Sequence, residues 1–378
     1  MDNNKHIVII AGEESGDAHA AKLIRTLKLT HPNIRFSGIG GRHMEAEGAL
    51  LVSDLARYGV TGLTAVFKYA FVIKKAFTAI KAHLKTTKPD LLILVDYPGF
   101  NLRLAKYAKQ TLNLKILYYI SPQIWAWKAN RIHTIKANID HMAVILPFEK
   151  VLYQKAGVPV SFVGHPLIET IKPAHLTVDE KIALNLPVDK RLIALLPGSR
   201  MNEIEYHLPV MAKVVENMAS NNAIHFIMPV AKTLPLDTVK AYFKDKALPI
   251  TFVDGLALTV MNAAELVVVA SGTASLECAL LEKPLCIIYK SSLLNFMIAM
   301  KVIKVKYLGL CNLLVNKMLA TELLQYDCTP GAIQTWLQTM LSDKDAQSHM
   351  IAELKQLRHH LSDECIDRPL AAIVDSLV

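Results

Sequence analysis

Asp96 is the first residue whose type and setting could do chemistry. It follows an apolar run, Leu91-Leu92-Ile93-Leu94-Val95, and opens the segment Asp96-Tyr97-Pro98-Gly99-Phe100-Asn101. A carboxylate where a buried strand emerges can take the proton of an attacking hydroxyl as general base. The same place also suits an aspartate that caps a turn or a helix. The first apolar run, His6 to Ile10, ends in Ala11-Gly12-Glu13-Glu14-Ser15-Gly16-Asp17-Ala18-His19. Glu13, Glu14, Asp17 and His19 are competing bases, and Asp17 alternatively caps its own helix.

Two turns further along could hold an anion. Leu192 to Leu196 runs into Pro197-Gly198-Ser199-Arg200. The backbone of Gly198 and Ser199 can come close to a pyrophosphate, and Arg200 can make paired hydrogen bonds to phosphate oxygens. The alternative is a surface arginine after a turn. Leu266 to Ala270 runs into Ser271-Gly272-Thr273-Ala274-Ser275-Leu276-Glu277 and then a helical pattern. Small residues admit a ligand to the backbone, and a helix N-terminus attracts phosphate. Glu277 is then placed to accept hydrogen bonds from vicinal sugar hydroxyls. The alternative is an ordinary glycine-containing turn. The functional combination describes a sugar-nucleotide pocket, in which an arginine and a helix N-terminus steady the charge of a departing diphosphate.

The elements that would position these residues are short apolar strands alternating with helices. Strands are expected at His6–Ile10, Ile34–Ile39, Leu91–Val95, Ile116–Ile120, Ala143–Leu146 and Val160–Val163. A second series follows at Leu192–Leu196, His225–Met228, Ile250–Val253, Leu266–Ala270 and Leu285–Tyr289. This order predicts α/β architecture with parallel, doubly wound sheets in two Rossmann-like domains facing a cleft. Ligands of such sheets bind beyond the strand C-termini, at the switch point. The expected domains are 1–165 and 166–344, with a helical stretch 345–378 packing back on the first.

Composition narrows the class. The chain has 378 residues, of which 52% are hydrophobic and 20% charged, with net charge +9. No uncharged apolar run reaches the roughly 18 residues of a membrane span. Met1 to Lys5 leads directly into a strand without a signal-peptide pattern. Five scattered cysteines fit a reducing compartment, and none forms a CxxC pair of the kind that builds structural zinc sites. The positive charge favours an anionic partner, but the lysines are dispersed and no nucleic-acid module is present. No G-x-G-x-x-G follows the first strand, which disfavours a dinucleotide oxidoreductase. The stretch Leu63 to Phe77 is apolar, aromatic and basic, with Phe67 and Phe71 one turn apart. Val66, Phe67, Phe71, Lys74 and Lys75 could form a surface for acyl chains and anionic headgroups, or a domain-packing helix with snorkelling lysines. Trp125 and Trp127 belong to an aromatic turn that is either core or a wall of the cleft.

Taken in order, the segments at 11–17, 95–101, 121–127, 163–167, 196–200 and 271–277 resemble the lipid A disaccharide synthases, a family of bacterial glycosyltransferases. The likeness covers nearly the whole chain. It implies glycosyltransferase fold B and metal-independent, inverting transfer. The donor would be UDP-2,3-diacylglucosamine and the acceptor 2,3-diacylglucosamine 1-phosphate. The products would be a β-1′,6-linked disaccharide and UDP. Asp96 matches the family's proposed base, Arg200 its phosphate-side arginine, Glu277 its ribose-binding group and Asn312 an asparagine near the nucleotide. Gly12, Glu13, Glu14, Ser15 and Asp17 would lie on the acceptor side. The family acts at the cytoplasmic face of the inner membrane, and some members form C-terminally swapped dimers, which makes a homodimer an expectation. The sequence departs from the family pattern at Glu14, Cys311, Thr321 and Val315-Asn316-Lys317. Rival readings are another inverting UDP-sugar transferase of this fold, a UDP-sugar 2-epimerase and a non-catalytic nucleotide-sugar-binding protein.

Overall fold

A computed structural model describes residues 5–56, 69–126, 128–243, 247–302 and 305–378. The chain divides into two compact units, residues 1–166 with 363–378, and residues 167–362.

The first unit is built on a seven-stranded sheet. In chain order its strands are β1 (His6–Ala11), β2 (Arg35–Gly40), β3 (Leu50–Asp54), β4 (Leu91–Val95), β5 (Ile116–Tyr119), β6 (His141–Val144) and β7 (Val160–Phe162). Their spatial order is β3-β2-β1-β4-β5-β6-β7, with every neighbouring pair parallel. Alternate side chains of β1 and β4 enter different cores. Ile7, Ile9, Leu91 and Ile93 join one cluster, while Val8, Ile10, Leu92 and Leu94 join the other. Burial on both faces explains why these strands read as unbroken apolar runs rather than as alternating ones.

The second unit repeats the plan with a six-stranded sheet. Its strands are β8 (Arg191–Leu196), β9 (Ile224–Val230), β10 (Ile250–Asp254), β11 (Leu266–Ala270), β12 (Leu285–Tyr289) and β13 (Thr321–Leu324). They lie in the order β10-β9-β8-β11-β12-β13, again all parallel. In each sheet the winding reverses beside the first strand, between β1 and β4 and between β8 and β11. These are the switch points where α/β sheets take ligands.

Several elements differ from the sequence expectation. The edge strands β3 and β13 were not foreseen. Each is short and half-buried, so neither carries the long apolar run of a central strand. The first helix begins at Glu14, which puts Ser15 and Asp17 inside it. Of the apolar, basic stretch Leu63 to Phe77, the part from Ala70 onward lies in helix Ala70–Thr87, and residues 57–68 lie outside the described range. The C-terminal stretch is not one helix packing on the first unit. Helix Lys344–His360 belongs to the second unit, where Leu354 and Leu357 are buried in the core. Arg358 locks it there by donating to the carbonyls of Ile168, Ile171 and Leu280. Only residues 363–378 return to the first unit. Asp367 accepts from the Phe162 amide, and Ile373 and Val374 enter its core.

Candidate active site

At the β1/β4 switch point, Ala11 and Val95 are register partners, so the residues after them are brought together. Gly12 lies under the Tyr97 ring, and a Cβ on it would come within 2.2 Å of Tyr97 Cδ1. Asp96 and Tyr97 both take left-handed backbone conformations, φ 44° and 46°, which cost energy for non-glycine residues. Buried neighbours hold them there. Asn101 Nδ2 donates to the Asp96 carbonyl at 2.7 Å and to the Val95 carbonyl at 3.1 Å. The Tyr118 hydroxyl donates to the Asp96 carbonyl at 2.6 Å, and the Asp96 amide donates to Tyr119 at 3.0 Å. Burial pushes the Asp96 carboxyl above its ordinary range, with the Tyr97 amide opposing. Glu13 is pushed up to about 7, first by burial and then by the Asp96 charge. Two carboxyls that feel each other titrate as a pair.

The other residues of the first loop separate into distinct jobs. Glu14 is exposed and pairs with Arg42 at 2.7 Å. Asp17 is 1% exposed and accepts from the amides of Gly41, His43 and Met44 at 2.8, 2.9 and 3.1 Å. It therefore caps the neighbouring helix Arg42–Ala46 rather than its own, and its carboxylate is fully engaged there. Ser15 is exposed in the first helical turn. His19 packs edge-on against Tyr119, and burial lowers its pKa. Of the loop, Gly12 and Glu13 are the residues at Asp96.

A third carboxyl was not anticipated. Glu149 lies in the first turn of helix Pro147–Lys155 and is 1% exposed. Its Oε1 accepts from Trp125 Nε1 at 3.0 Å. The signal available in sequence was Pro147 followed two residues later by an acid, the pattern of a helix start; that pattern marks an ordinary cap, not a buried acid. Trp125 is half-buried and also meets Phe148 edge-on. Trp127 lies outside the described residues.

Beside Asp96 the first unit has a cavity of about 480 Å³, lined by Ala70, Ile73, Lys74, Phe77, Tyr97, Gly99, Phe100 and Arg103. It is mainly apolar with two cations at its walls. Phe71 is 80% exposed on the same helix, and Lys74 and Lys75 are exposed with it. Val66 and Phe67 lie outside the described residues.

The second unit's switch point combines a glycine turn, an exposed arginine and an uncapped helix start. Gly198 has φ 114°, and a Cβ there would meet Glu203 Oε2 at 2.4 Å, so the turn requires glycine. Glu203 organises it. Its carboxylate accepts from the Ser199 amide at 3.1 Å and from Arg200 at 3.2 Å. The Ser199 amide is thus already engaged, and Arg200, 70% exposed in its side chain, is the turn's exposed cation. His207, fully buried, braces the turn from below. Its Nδ1 meets the Pro197 carbonyl at 2.7 Å, and its Nε2 accepts from the Lys290 amide at 2.9 Å. An accepting Nε2 fixes the proton on Nδ1 and keeps the ring neutral; burial lowers its pKa in the same sense. On the adjacent strand, helix Thr273–Leu280 begins at Gly272 without a side-chain cap. A Cβ on Gly272 would meet nothing within 4 Å, so the backbone is open to a ligand. Ser271 Oγ donates to the Leu308 carbonyl. Glu277 is half-buried, its pKa raised by burial, and its carboxylate has no hydrogen-bond partner among the described residues.

Asn312 is enclosed within its own loop. It is 0% exposed, and its amide is engaged with Ala320 and Glu322. Glu322 in turn accepts from the amides of Leu308 and Gly309. The pair therefore shapes the loop that receives Ser271, and Asn312 offers no free polar atom to a nucleotide.

This fold is that of enzymes acting on activated sugars. The chain aligns over 100% of its length with all of the solved glycosyltransferase of kitacinnamycin, at TM-score 0.63 and 14% identity. It covers 98% of its length and 99% of the UDP-GlcNAc 2-epimerase from Neisseria meningitidis, at TM-score 0.62 and 10% identity. At such identities the likeness is one of fold. The family model for lipid-A-disaccharide synthetase matches residues 7–372. Lipid-A-disaccharide synthase 1 of Legionella pneumophila strain Paris is 55% identical over 99% of this chain and 98% of its own length. The chain belongs to the lipid-A-disaccharide synthetase family, and it is a glycosyltransferase of lipid A biosynthesis.

Proposed function

We propose that the enzyme joins UDP-2,3-diacylglucosamine to 2,3-diacylglucosamine 1-phosphate by a single inverting displacement. The Asp96 carboxylate removes the proton of the acceptor's 6-hydroxyl. The hydroxyl oxygen attacks the donor's anomeric carbon as the bond to the diphosphate breaks, and the bonding pair leaves with UDP. Arg200 and the open N-terminus of helix Thr273–Leu280 balance the charge that grows on the diphosphate. Glu277 accepts from the ribose hydroxyls. Glu13, Asp96's immediate neighbour, orients the acceptor. Each proton and charge has a group on this chain to receive it, so the reading includes no metal. The apolar cavity beside Tyr97 suits acyl chains, with Lys74 and Arg103 for the acceptor's phosphate. Exposed Phe71 with Lys74 and Lys75 supports seating on an anionic membrane surface, the inner face of the inner membrane. No helix among the described residues is long and apolar enough to cross a membrane. A homodimer belongs to the same reading.

The observation that carries it is Asp96, half-buried beside Glu13 at the β1/β4 switch point and next to an apolar cavity. Asp96→Asn keeps the shape and removes the base. We expect UDP binding close to wild type and turnover reduced by about 10²–10⁴-fold, the usual size of general-base catalysis. Full turnover in that variant would rule out Asp96 as the base.

A further inference from the structure

Glu149 has no place in the chemistry above, yet its setting is unusual. It is 1% exposed, no cation pairs with it among the described residues, and one of its oxygens, Oε2, is buried without a hydrogen-bond partner. Its other oxygen accepts from Trp125 Nε1. A buried carboxylate with an unpartnered oxygen and no counter-charge is costly, and such a group keeps its proton instead.

What Glu149 holds matters more than its own charge. Trp125 ends the turn that begins at Ser121 directly beyond β5. Ser121 Oγ is 2.8 Å from the Tyr153 hydroxyl, and Tyr153 lies on the helix that carries Glu149. Three residues before Ser121 is Tyr118, whose hydroxyl holds the Asp96 carbonyl. One continuous segment, 118–125, is therefore fastened at one end to Glu149 and at the other to Asp96's left-handed backbone.

We propose that Glu149 is a positioning residue for Asp96: as an uncharged acid it anchors the Ser121–Trp125 turn, and loss of its proton releases that turn and with it the geometry of the base. The electrostatics agree. Burial raises the Glu149 carboxyl to about 8 against the hydrogen bonds from Trp125, Leu146 and Ser121, and the Asp96 charge adds a smaller push upward. Asp96 acts on it from the end of β4. Tyr153, on its own helix, is pushed up by burial. Tyr118, on β5, is pushed up by burial and Asp96, with Arg131 the one cation acting the other way. Lys150, the next residue, is paired with Asp367. An ionised Glu149 would thus meet the Asp96 charge among neutral phenols, with no cation paired to it, and it is relieved by swinging toward water and leaving Trp125.

The inference rests on Asp96 as base, and its test is separable from that reading. Wild-type kcat is expected to fall on the alkaline side as Glu149 ionises, near pH 8. Glu149→Gln still accepts from Trp125 but cannot ionise. Its turnover should stay within about twofold of wild type near neutral pH, with the alkaline fall abolished. Glu149→Ala removes the anchor and should lower kcat by roughly ten- to a hundredfold, the cost of a slightly misplaced catalytic group, with KM for the UDP-sugar unchanged. An alkaline fall that persists unchanged in Glu149→Gln overturns the proposal. So does a shift of the acid limb to lower pH in that variant, because it would mean Glu149 had been charged beside Asp96. Infrared spectra of the wild-type enzyme give a second measurement, independent of how the variants fold. A protonated carboxyl band that persists at neutral pH and disappears on the alkaline side supports the proposal, and its absence at neutral pH overturns it. If Asp96→Asn is fully active, the base assignment fails, but the infrared band still reports on Glu149 itself.

Discussion

The two switch points use the same scaffold for opposite electrostatic purposes. At β1/β4 the functional groups are carboxyls in a dry setting. Burial raises Asp96, Glu13 and Glu149 together, and their neighbours are tyrosines and apolar rings. At β8/β11 the groups are an exposed arginine and an uncapped helix end, with a backbone left open at Gly272. A proton acceptor gains basicity from losing water. In the proposed reaction the tight site takes the proton and the open one receives the anion. The supporting residues differ accordingly. Tyr118 and Asn101 hold a strained backbone at Asp96, while Glu203 and His207 hold a glycine turn beneath Arg200.

The largest effect that would break this contrast is at Arg200. Its pair with Glu203 is exposed, and such surface pairs are worth about 0–1 kcal/mol, so it releases readily to a stronger anion. Arg200→Ala should lower kcat by roughly 10²–10³-fold, the cost of removing one transition-state donor, while Asp96's acid limb stays where it was. A change confined to KM would show that Arg200 only binds ground-state donor. Glu277 comes next. Glu277→Gln leaves shape intact but weakens acceptance from the ribose hydroxyls. KM for the UDP-sugar should rise about five- to tenfold with kcat nearly unchanged, the signature of uniform binding lost. An unchanged KM would remove Glu277 from the nucleotide site.

The central strands and both switch-point turns were legible in the sequence because burial on two faces leaves a run with no polar interruption. Asp96, Arg200 and Glu277 could be singled out as candidates because each stands just beyond such a run or one turn into the next helix. What sequence obscured was contact across the fold. Asp17 and Glu13 are equivalent on paper, yet one caps a distant helix through three amides and the other faces Asp96. Asn312 matched a family position, but its amide is satisfied within its own loop. Glu149 and His207 sit inside helices with ordinary patterns, and only packing reveals that one lacks a counter-charge and the other braces a turn. The edge strands β3 and β13 were missed because half-buried segments of four or five residues carry too little pattern to register.

The smallest effect tests the carboxyl site at its rim. Glu13 has a folded-state pKa of about 7, raised by burial and then by Asp96, above its ordinary value of 4.5. A carboxyl raised in this way binds its proton more tightly in the folded state, so its stabilising contribution is complete below pH 4.5 and is lost as pH rises through 7. Glu13→Gln should therefore gain stability relative to wild type on moving from acid to mildly alkaline buffer, read as the difference in Tm at the two pH values. The same substitution removes a charge that opposes ionisation of Asp96, so the acid limb of kcat/KM should move to lower pH. The shift should be less than about one unit, since Glu13 is itself half protonated near its midpoint. An acid limb that moves the other way would mean that Glu13 donates a hydrogen bond to ionised Asp96 rather than repelling it. The two carboxyls would then be a proton-sharing pair, and the contrast with the cationic site would be sharper still.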